Sequence, residues 1–459
     1  MNAAHHLSPP LRPLSTECLI YGTNARVPQT DQTALTRAIG RWSLAALTVN
    51  SILGSGVFGL PSVVAGLVGK ASPLAVPLAG AAIAIIIACY AEVASQFTQT
   101  GGTYLYTRVA FGRFTGIQVG WFTLLVRLTA AAANANLLVI YLGGFWRQAT
   151  DAIPRFLILT LLVGILAALN YIGVRSGAQV SNVFVVAKLL PLGIICLVGA
   201  FYLIATHRVV PATTAPAGGD AWLKAMLLLF FAYGGFESAL TPMSEAKNPR
   251  RDVAFALFMA LITVTVIYTL IQWVVINVLP DPASSSRPLA DAARILMGKG
   301  GAALIAIGAI VSVLGYLSAG MLTGPRTTFA LAERGDFPFW FAAIHPKFRT
   351  PHFSILVFAI LIWLLALFGS FSWNVMLSAV ARLFYYGLVC AAVPVLRRKQ
   401  PGAALFRLPG GPIFAAMGVV ICLILFTRVD LTKSLILVAV FSTALLNWLL
   451  VRRADASSH

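Results

Sequence analysis

Charge is what this chain has least of. Only 10% of its 459 residues are Asp, Glu, Lys or Arg, against roughly 25% in soluble domains. A globular water-soluble protein is excluded on that ground. With 59% hydrophobic residues and a mean hydropathy of +0.87, the chain reads as an all-α polytopic membrane protein. Acids are scarcer than bases, 14 against 33, for a formal charge of +19. In a soluble protein that excess would point to nucleic acid. Here the basic residues fall mainly in short loops between apolar runs, where they set orientation, and no nucleic-acid partner is expected. Cysteine is also sparse. Cys89, Cys196, Cys390 and Cys422 lie in apolar runs and Cys18 lies before the first of them, which is neither a disulfide framework nor a metal-ligand spacing. His5, His6, His207, His345, His352 and His459 all fall in loops or tails, so no catalytic or metal-binding role is expected, and no cofactor. No Gly-x-x-x-x-Gly-Lys-Ser/Thr phosphate loop occurs, which disfavours ATP-driven work. Residues 1–36 hold no apolar run, so no signal peptide is expected there; they read as a flexible cytoplasmic tail.

What is there is length in apolar runs. A span needs about 20 mostly apolar residues, and that rule places twelve. They are 42–68, 74–98, 114–144, 154–172, 178–205, 221–244, 253–279, 302–330, 353–370, 373–396, 411–428 and 432–451. With the N-terminus inside, twenty basic residues fall on the cytoplasmic side and ten on the other, so both termini are expected in the cytoplasm. Arg127, Lys188 and Arg382 fall inside spans.

Two runs are interrupted where a helix should be most regular. Asn50 to Pro61 reads Asn-Ser-Ile-Leu-Gly-Ser-Gly-Val-Phe-Gly-Leu-Pro, and Phe230 to Ser238 reads Phe-Phe-Ala-Tyr-Gly-Gly-Phe-Glu-Ser. Gly costs about 1 kcal/mol against Ala in a helix interior, and an unpaired backbone group in hydrocarbon costs several kcal/mol. Such a break persists only where protein buries it or a cavity wets it. Its freed N–H and C=O groups then become ligands. A glycine-lined helix-packing surface is the alternative for either motif alone. Five spans separate the two, so they enter the bilayer from opposite sides, the pattern that points to a transporter site near the midplane.

On these motifs the chain resembles the amino acid–polyamine–organocation superfamily of permeases. Asn50–Pro61 is similar to the family's first helix. Ala91-Glu92 through Gly101-Gly102-Thr103-Tyr104 to Phe111-Gly112 is similar to its second helix and re-entrant loop. Phe231–Ser238 with Ser244-Glu245-Ala246-Lys247-Asn248-Pro249-Arg250-Arg251-Asp252 resembles its sixth helix and the loop after it. Gly324-Pro325-Arg326 to Gly335-Asp336-Phe337-Pro338 resembles the end of the eighth. The resemblance implies twelve transmembrane helices, a 5+5 inverted repeat with helices 1 and 6 broken, two further C-terminal helices, and transport by alternating access. The domains follow as a tail over 1–36, a first repeat over 37–206, a second over 220–398, and the last two helices over 408–452.

The helix end at Ser55, Gly56 and Val57, after Gly54, carries about half a positive charge and favours anions. A substrate α-carboxylate suits it and matches the family's binding mode. Carbonyls near Ile52 and Leu53, joined by those of Phe231 and Gly234 with Ala232 and Tyr233 between them, would surround an α-ammonium. Phe231 aligns with an aromatic that closes over substrate in relatives; by composition it reads as packing. Lys188 lies too deep to be a span-end residue, at a cost of at least ~3 kcal/mol. It matches a lysine that stands in place of sodium in relatives, with the backbone near Ile52 and Ser318 of the eighth span as expected neighbours. It is read as a bridge that cycles a proton or as a fixed one.

Glu237 resembles a proton-sensing acid of some exchangers; a pair with Arg127 is the alternative. Glu92, Arg127 and Arg382 read as structural ion pairs or helix–loop ties, and Asn134 and Asn136 as pocket residues or interhelical bonds. Arg397-Arg398-Lys399 reads as a topology determinant, and Gly298-Lys299-Gly300-Gly301 as a loop cluster. The expected function is secondary amino acid transport at the inner (cytoplasmic) membrane, with neutral substrates and with proton symport or exchange. The expected partners are an amino acid, protons and the lipid bilayer. The alternatives are a basic amino acid or polyamine exchanger working through Glu237, or a non-transporting sensor or partner subunit.

Overall fold

The computed structural model describes residues 40–97, 101–173, 178–206, 218–240 and 247–457. The expected tail with His5, His6 and Cys18, the loop position Arg175, His207 with Arg208, the motif residues Ser244, Glu245 and Ala246, and His459 lie outside them. The regular structure of the described residues is all helical, α-helices with short 3-10 turns joined by loops, with no strand among them.

In chain order the helices are α1 (Arg41–Ile52), α2 (Ser55–Val68), α3 (Ser72–Ala94), α4 (Gly102–Phe111), α5 (Arg113–Leu142), α6 (Ala152–Ile172), α7 (Ala178–Thr206), α8 (Gly219–Tyr233), α9 (Phe236–Ala239), α10 (Pro249–Val278), α11 (Pro288–Glu333), α12 (His352–Phe368), α13 (Phe371–Lys399), α14 (Gly411–Phe426) and α15 (Leu431–Ser457). Eight segments among the described residues are long and apolar enough to cross a membrane, the joined α2–α3 unit counting as one, and α12 and α14 are shorter apolar helices. The chain is a multi-pass membrane protein. Its outer face shows why. Along α6 the side chains of Ile153, Phe156, Leu157, Leu161, Ile165 and Leu169 are all exposed, a stripe that water would not tolerate and hydrocarbon would.

The centre is α5, which packs against α13, α11, α12 and α15. Its run Ala130–Ala133 is buried, and small side chains there let the neighbouring backbones approach closely. The glycine cluster 298–301 departs from expectation. Lys299, Gly300 and Gly301 are helical, and only Gly298 leaves helical geometry, at φ 70° and ψ −161°. Positive φ is open to glycine at little cost, so the chain bends there and α11 continues.

Buried acids tie the helices together. Glu92, fully buried on α3, accepts a two-pronged bond from Arg397 of α13 (2.6 and 2.8 Å) and another from the backbone N–H of Leu408 (2.9 Å). Arg397 is therefore an ion-pair partner as well as part of a basic run. Lys399 donates to the carbonyls of Val109 and Ala110 at the end of α4. Asp336, just beyond α11 and fully buried, pairs with Arg108, with Arg113 (2.6 Å) and with the Tyr104 hydroxyl, while its carbonyl accepts from Asn447 of α15. Burial and the bond to Asp336 push the Tyr104 hydroxyl up to about 12. One carboxylate thus fixes α4 and α5 against the end of α11.

Candidate functional site

The first apolar run is two helices. Leu53 (φ −68°, ψ 84°) and Gly54 (φ −114°, ψ −149°) leave helical geometry between α1 and α2. The first turn of α2 is Ser55, Gly56 and Val57, the turn whose N–H groups have no partner inside the helix. All three residues are buried. The Ser55 hydroxyl is buried and has no hydrogen-bond partner among the described residues, a cost that a bound polar group would remove.

The second break is at Gly234–Gly235, between α8 and α9. Gly235 sits at φ 115°, and a Cβ on it would run into the carbonyl of Ser51 at the end of α1. A Cβ on Gly56 would lie 3.0 Å from the Cα of Ala232. The two interruptions therefore touch, α1 against α9 and α2 against α8. Gly234 is required for another reason: the guanidinium of Arg382 occupies the space a side chain would need.

The freed carbonyls already have donors. Lys188 Nζ donates to the carbonyls of Asn50 (2.6 Å) and Leu53 (2.9 Å). The hydroxyl of Tyr268 on α10 donates to Ile52 (3.3 Å) and Ala232 (3.1 Å), joining one break to the other. The carbonyl of Phe231 accepts from the Gly234 N–H (3.1 Å) and from Arg382 (3.4 Å). Lys188 bridges α7 to the end of α1, where its ammonium meets the negative pole of the helix. Ser318 makes no hydrogen bond with it among the described residues. Tyr233 turns its hydroxyl to the Val76 carbonyl of α3 (3.0 Å), so it braces α8 from behind.

Glu237 differs from the expected pairing. Its ion-pair partner is Arg382 of α13, at 3.6 Å, and not Arg127. The same carboxylate accepts from the hydroxyls of Tyr385 (3.0 Å) and Tyr386 (3.2 Å) and from the Gly235 N–H (2.9 Å). Arg127, on α5, reaches the Thr323 hydroxyl at 3.4 Å. The reason is position: α13 packs directly on α8, and the missing side chain at Gly234 admits the Arg382 guanidinium from that side. Asn136 bonds the Gly369 carbonyl (3.1 Å) and accepts from Arg155 (3.2 Å), an interhelical tie; Asn134 bonds its own helix at Ala130 (2.8 Å).

A small cavity opens beside the breaks, lined by Gly56, Val57, Val76, Ala232, Tyr268 and Gln272 among others. It has about 20 Å³ of space for a water centre, enough for one or two waters and far too little for an amino acid. Tyr268, Gln272, Tyr385 and Tyr386 are site neighbours that sequence reasoning passed over. A hydroxyl or amide within an apolar run carries no mark of which way it faces.

The family described as amino acid permease matches residues 39–445. The chain is 27% identical to the methylthioribose transporter of Bacillus subtilis, over 86% of this chain and 89% of that one. It is 26% identical to the branched-chain amino acid permease BcaP of the same organism, over 85% and 88%. It is 29% identical to cationic amino acid transporter 4 of Mus musculus, over 84% of this chain and 63% of that one.

Proposed function

Because the chain belongs to the amino acid permease family, we propose that it carries amino acids across the cell's inner membrane by alternating access, with both termini in the cytoplasm. The reading includes twelve crossings and two inverted five-helix repeats, with α1–α2 and α8–α9 as the broken members. One observation carries it. The first turn of α2, with its partnerless Ser55 hydroxyl, is buried against α8 at Ala232, beside the carbonyls of Ile52 and Leu53. An α-carboxylate on the N–H groups of Ser55, Gly56 and Val57 satisfies that turn. An α-ammonium then competes with Tyr268 for the carbonyl of Ile52, with Lys188 for that of Leu53 and with Arg382 for that of Phe231, and the Gly234 carbonyl completes the set.

The tight contact at Gly56 and the small cavity describe a closed arrangement, so substrate enters only when α2 and α8 separate. Proton symport or exchange of one substrate for another drives the cycle, with Lys188 as the group at the hinge. The relatives' names include a cationic amino acid transporter, yet Glu237 is poorly suited to read a cationic side chain. A carboxylate offers about four acceptor sites, and Arg382, Tyr385, Tyr386 and the Gly235 N–H engage its two oxygens. Substrates lacking a cationic side chain are therefore favoured, the neutral ones expected from sequence among them.

The test is uptake into proteoliposomes holding the purified protein, with each of the twenty amino acids as tracer. Saturable uptake, stimulated by a proton gradient or by internal substrate and abolished by Gly56→Leu in a folded protein, is the expected result. No uptake or binding of any amino acid overturns the reading.

A further inference from the structure

Between α11 and α12 the chain turns aromatic rings both inward and outward. Residues 337–341 read Phe-Pro-Phe-Trp-Phe. Phe337 and Phe341 are buried, the first stacked on Trp121 (4.8 Å) and the second edge-on to Phe353 (5.6 Å). Phe339 and Trp340, in the short 3-10 turn Phe339–Ala342, face the other way and are 81% and 49% exposed. Ile344 follows them, 48% exposed. An apolar patch of this kind marks a membrane or a protein contact.

Two hydrogen bonds fix the depth of this segment. The Thr350 hydroxyl donates to the carbonyl of Tyr171 in the last turn of α6 (2.8 Å), and the Ser354 hydroxyl in the first turn of α12 donates to the carbonyl of Phe341 (2.9 Å). Both helices are apolar and both end here, so the segment lies where hydrocarbon gives way to headgroups. Tryptophan is enriched at that level. The Trp340 ring is 6.3 Å from that of Phe353, which begins a stripe continued by the exposed Leu356 and Ile360, three and then four residues further along one helix face. The outward aromatics therefore prolong the apolar outer surface of α12. Charge agrees with this placement. Over 333–349 the exposed charged residues are Arg334, Lys347 and Arg349 against Glu333 alone, while Asp336 is buried and held by Arg108 and Arg113. Among the described residues none of those three cations is ion-paired.

We propose that the α11–α12 connection is a binding surface for acidic phospholipid. Phe339, Trp340 and Ile344 enter the boundary of the acyl chains, and Arg334, Lys347 and Arg349 take the phosphates above them. Apolar anchors together with a basic rim hold a segment in the plane of the interface. Each Lys or Arg close to an anionic bilayer surface strengthens association about fivefold, so three of them favour acidic over zwitterionic lipid by well over tenfold. The proposal is independent of the transport reading, and its test uses no substrate.

The experiment is quenching of tryptophan fluorescence in vesicles holding the purified protein, with bromine on the acyl chains of either phosphatidylglycerol or phosphatidylcholine. The difference between the wild type and Trp340→Phe isolates the Trp340 signal. Titrating one brominated lipid against the other unbrominated one gives their relative binding constant at that site. In the wild type Trp340 is quenched, and phosphatidylglycerol is preferred at least tenfold. Lys347→Gln lowers the preference about fivefold, and the triple variant Arg334→Gln, Lys347→Gln, Arg349→Gln brings it close to one. Gel filtration with thermal unfolding checks that the variants fold. No quenching of Trp340 by either lipid overturns the proposal and leaves the patch for a protein partner. Equal quenching by the two lipids in the wild type overturns the recognition of acidic lipid. A preference unchanged in the triple variant overturns the role of the three cations.

Discussion

Replacing Glu237 by Gln tests whether this acid holds the fold together or reads the substrate. At close to 4 Å and an effective dielectric near 20, two unit charges attract by about 4 kcal/mol. Glu237 and Arg382 approach to 3.6 Å with side chains 10% and 5% exposed. Removing one member of a buried pair costs about 3–5 kcal/mol, mostly because the other charge is left uncompensated. Arg382 cannot swing away to water, since it is wedged against Gly234 and lies over the Phe231 ring. The glutamine also offers an amide donor where Tyr385, Tyr386 or the Gly235 N–H requires an acceptor. Glu237→Gln is therefore expected to lose about 3–5 kcal/mol in denaturant or thermal unfolding in detergent. Arg382→Gln should lose a similar amount. The double variant should lose much less than the sum, with a coupling of about 2 kcal/mol or more in the cycle. If Glu237→Gln unfolds like the wild type and loses only lysine or arginine uptake, the carboxylate is a substrate reader, and the ion-pair account is wrong.

Other outcomes follow from the same contacts. Gly56→Val should keep the protein folded at a cost of about 1–3 kcal/mol from overpacking against Ala232, and should abolish uptake; normal uptake would mean that the α2–α8 contact does not matter to the cycle. Lys188→Met bares the carbonyls of Asn50 and Leu53 and should impair transport, and loss of its pH dependence in particular would identify Lys188 as a proton carrier. Tyr268→Phe removes the bond that joins the two breaks, so stability should fall by about 1 kcal/mol, with uptake reduced more than binding. Asp336→Asn releases Arg108 and Arg113, both about a third exposed, so a loss of about 2 kcal/mol is expected after allowing for solvent screening, read as a lower unfolding temperature with no change in substrate preference.

What the sequence determined by itself is set by composition and by glycine. Membrane residence follows from the scarcity of charge over long runs, because hydrocarbon tolerates nothing else. The interruptions at 53–54 and 234–235 were legible because glycine and serine in mid-span are costly unless a break explains them. The depth of Lys188 in an apolar run said only that its ammonium needs partners; that these are carbonyls at the end of α1 was implied by the resemblance to the permease superfamily, and the bonds to Asn50 and Leu53 agree with it. The tertiary structure alone decided who pairs with whom. Glu237 went to Arg382 and not to Arg127 because α13 lies against α8 and Gly234 leaves room for a guanidinium, which no spacing along the chain encodes. The tyrosines 268, 385 and 386 gave no signal for a similar reason: a ring in an apolar run has one hydroxyl, and its direction depends on which helix stands opposite. Sequence sets how much charge the bilayer must accommodate, and packing sets which partner each of those charges finds.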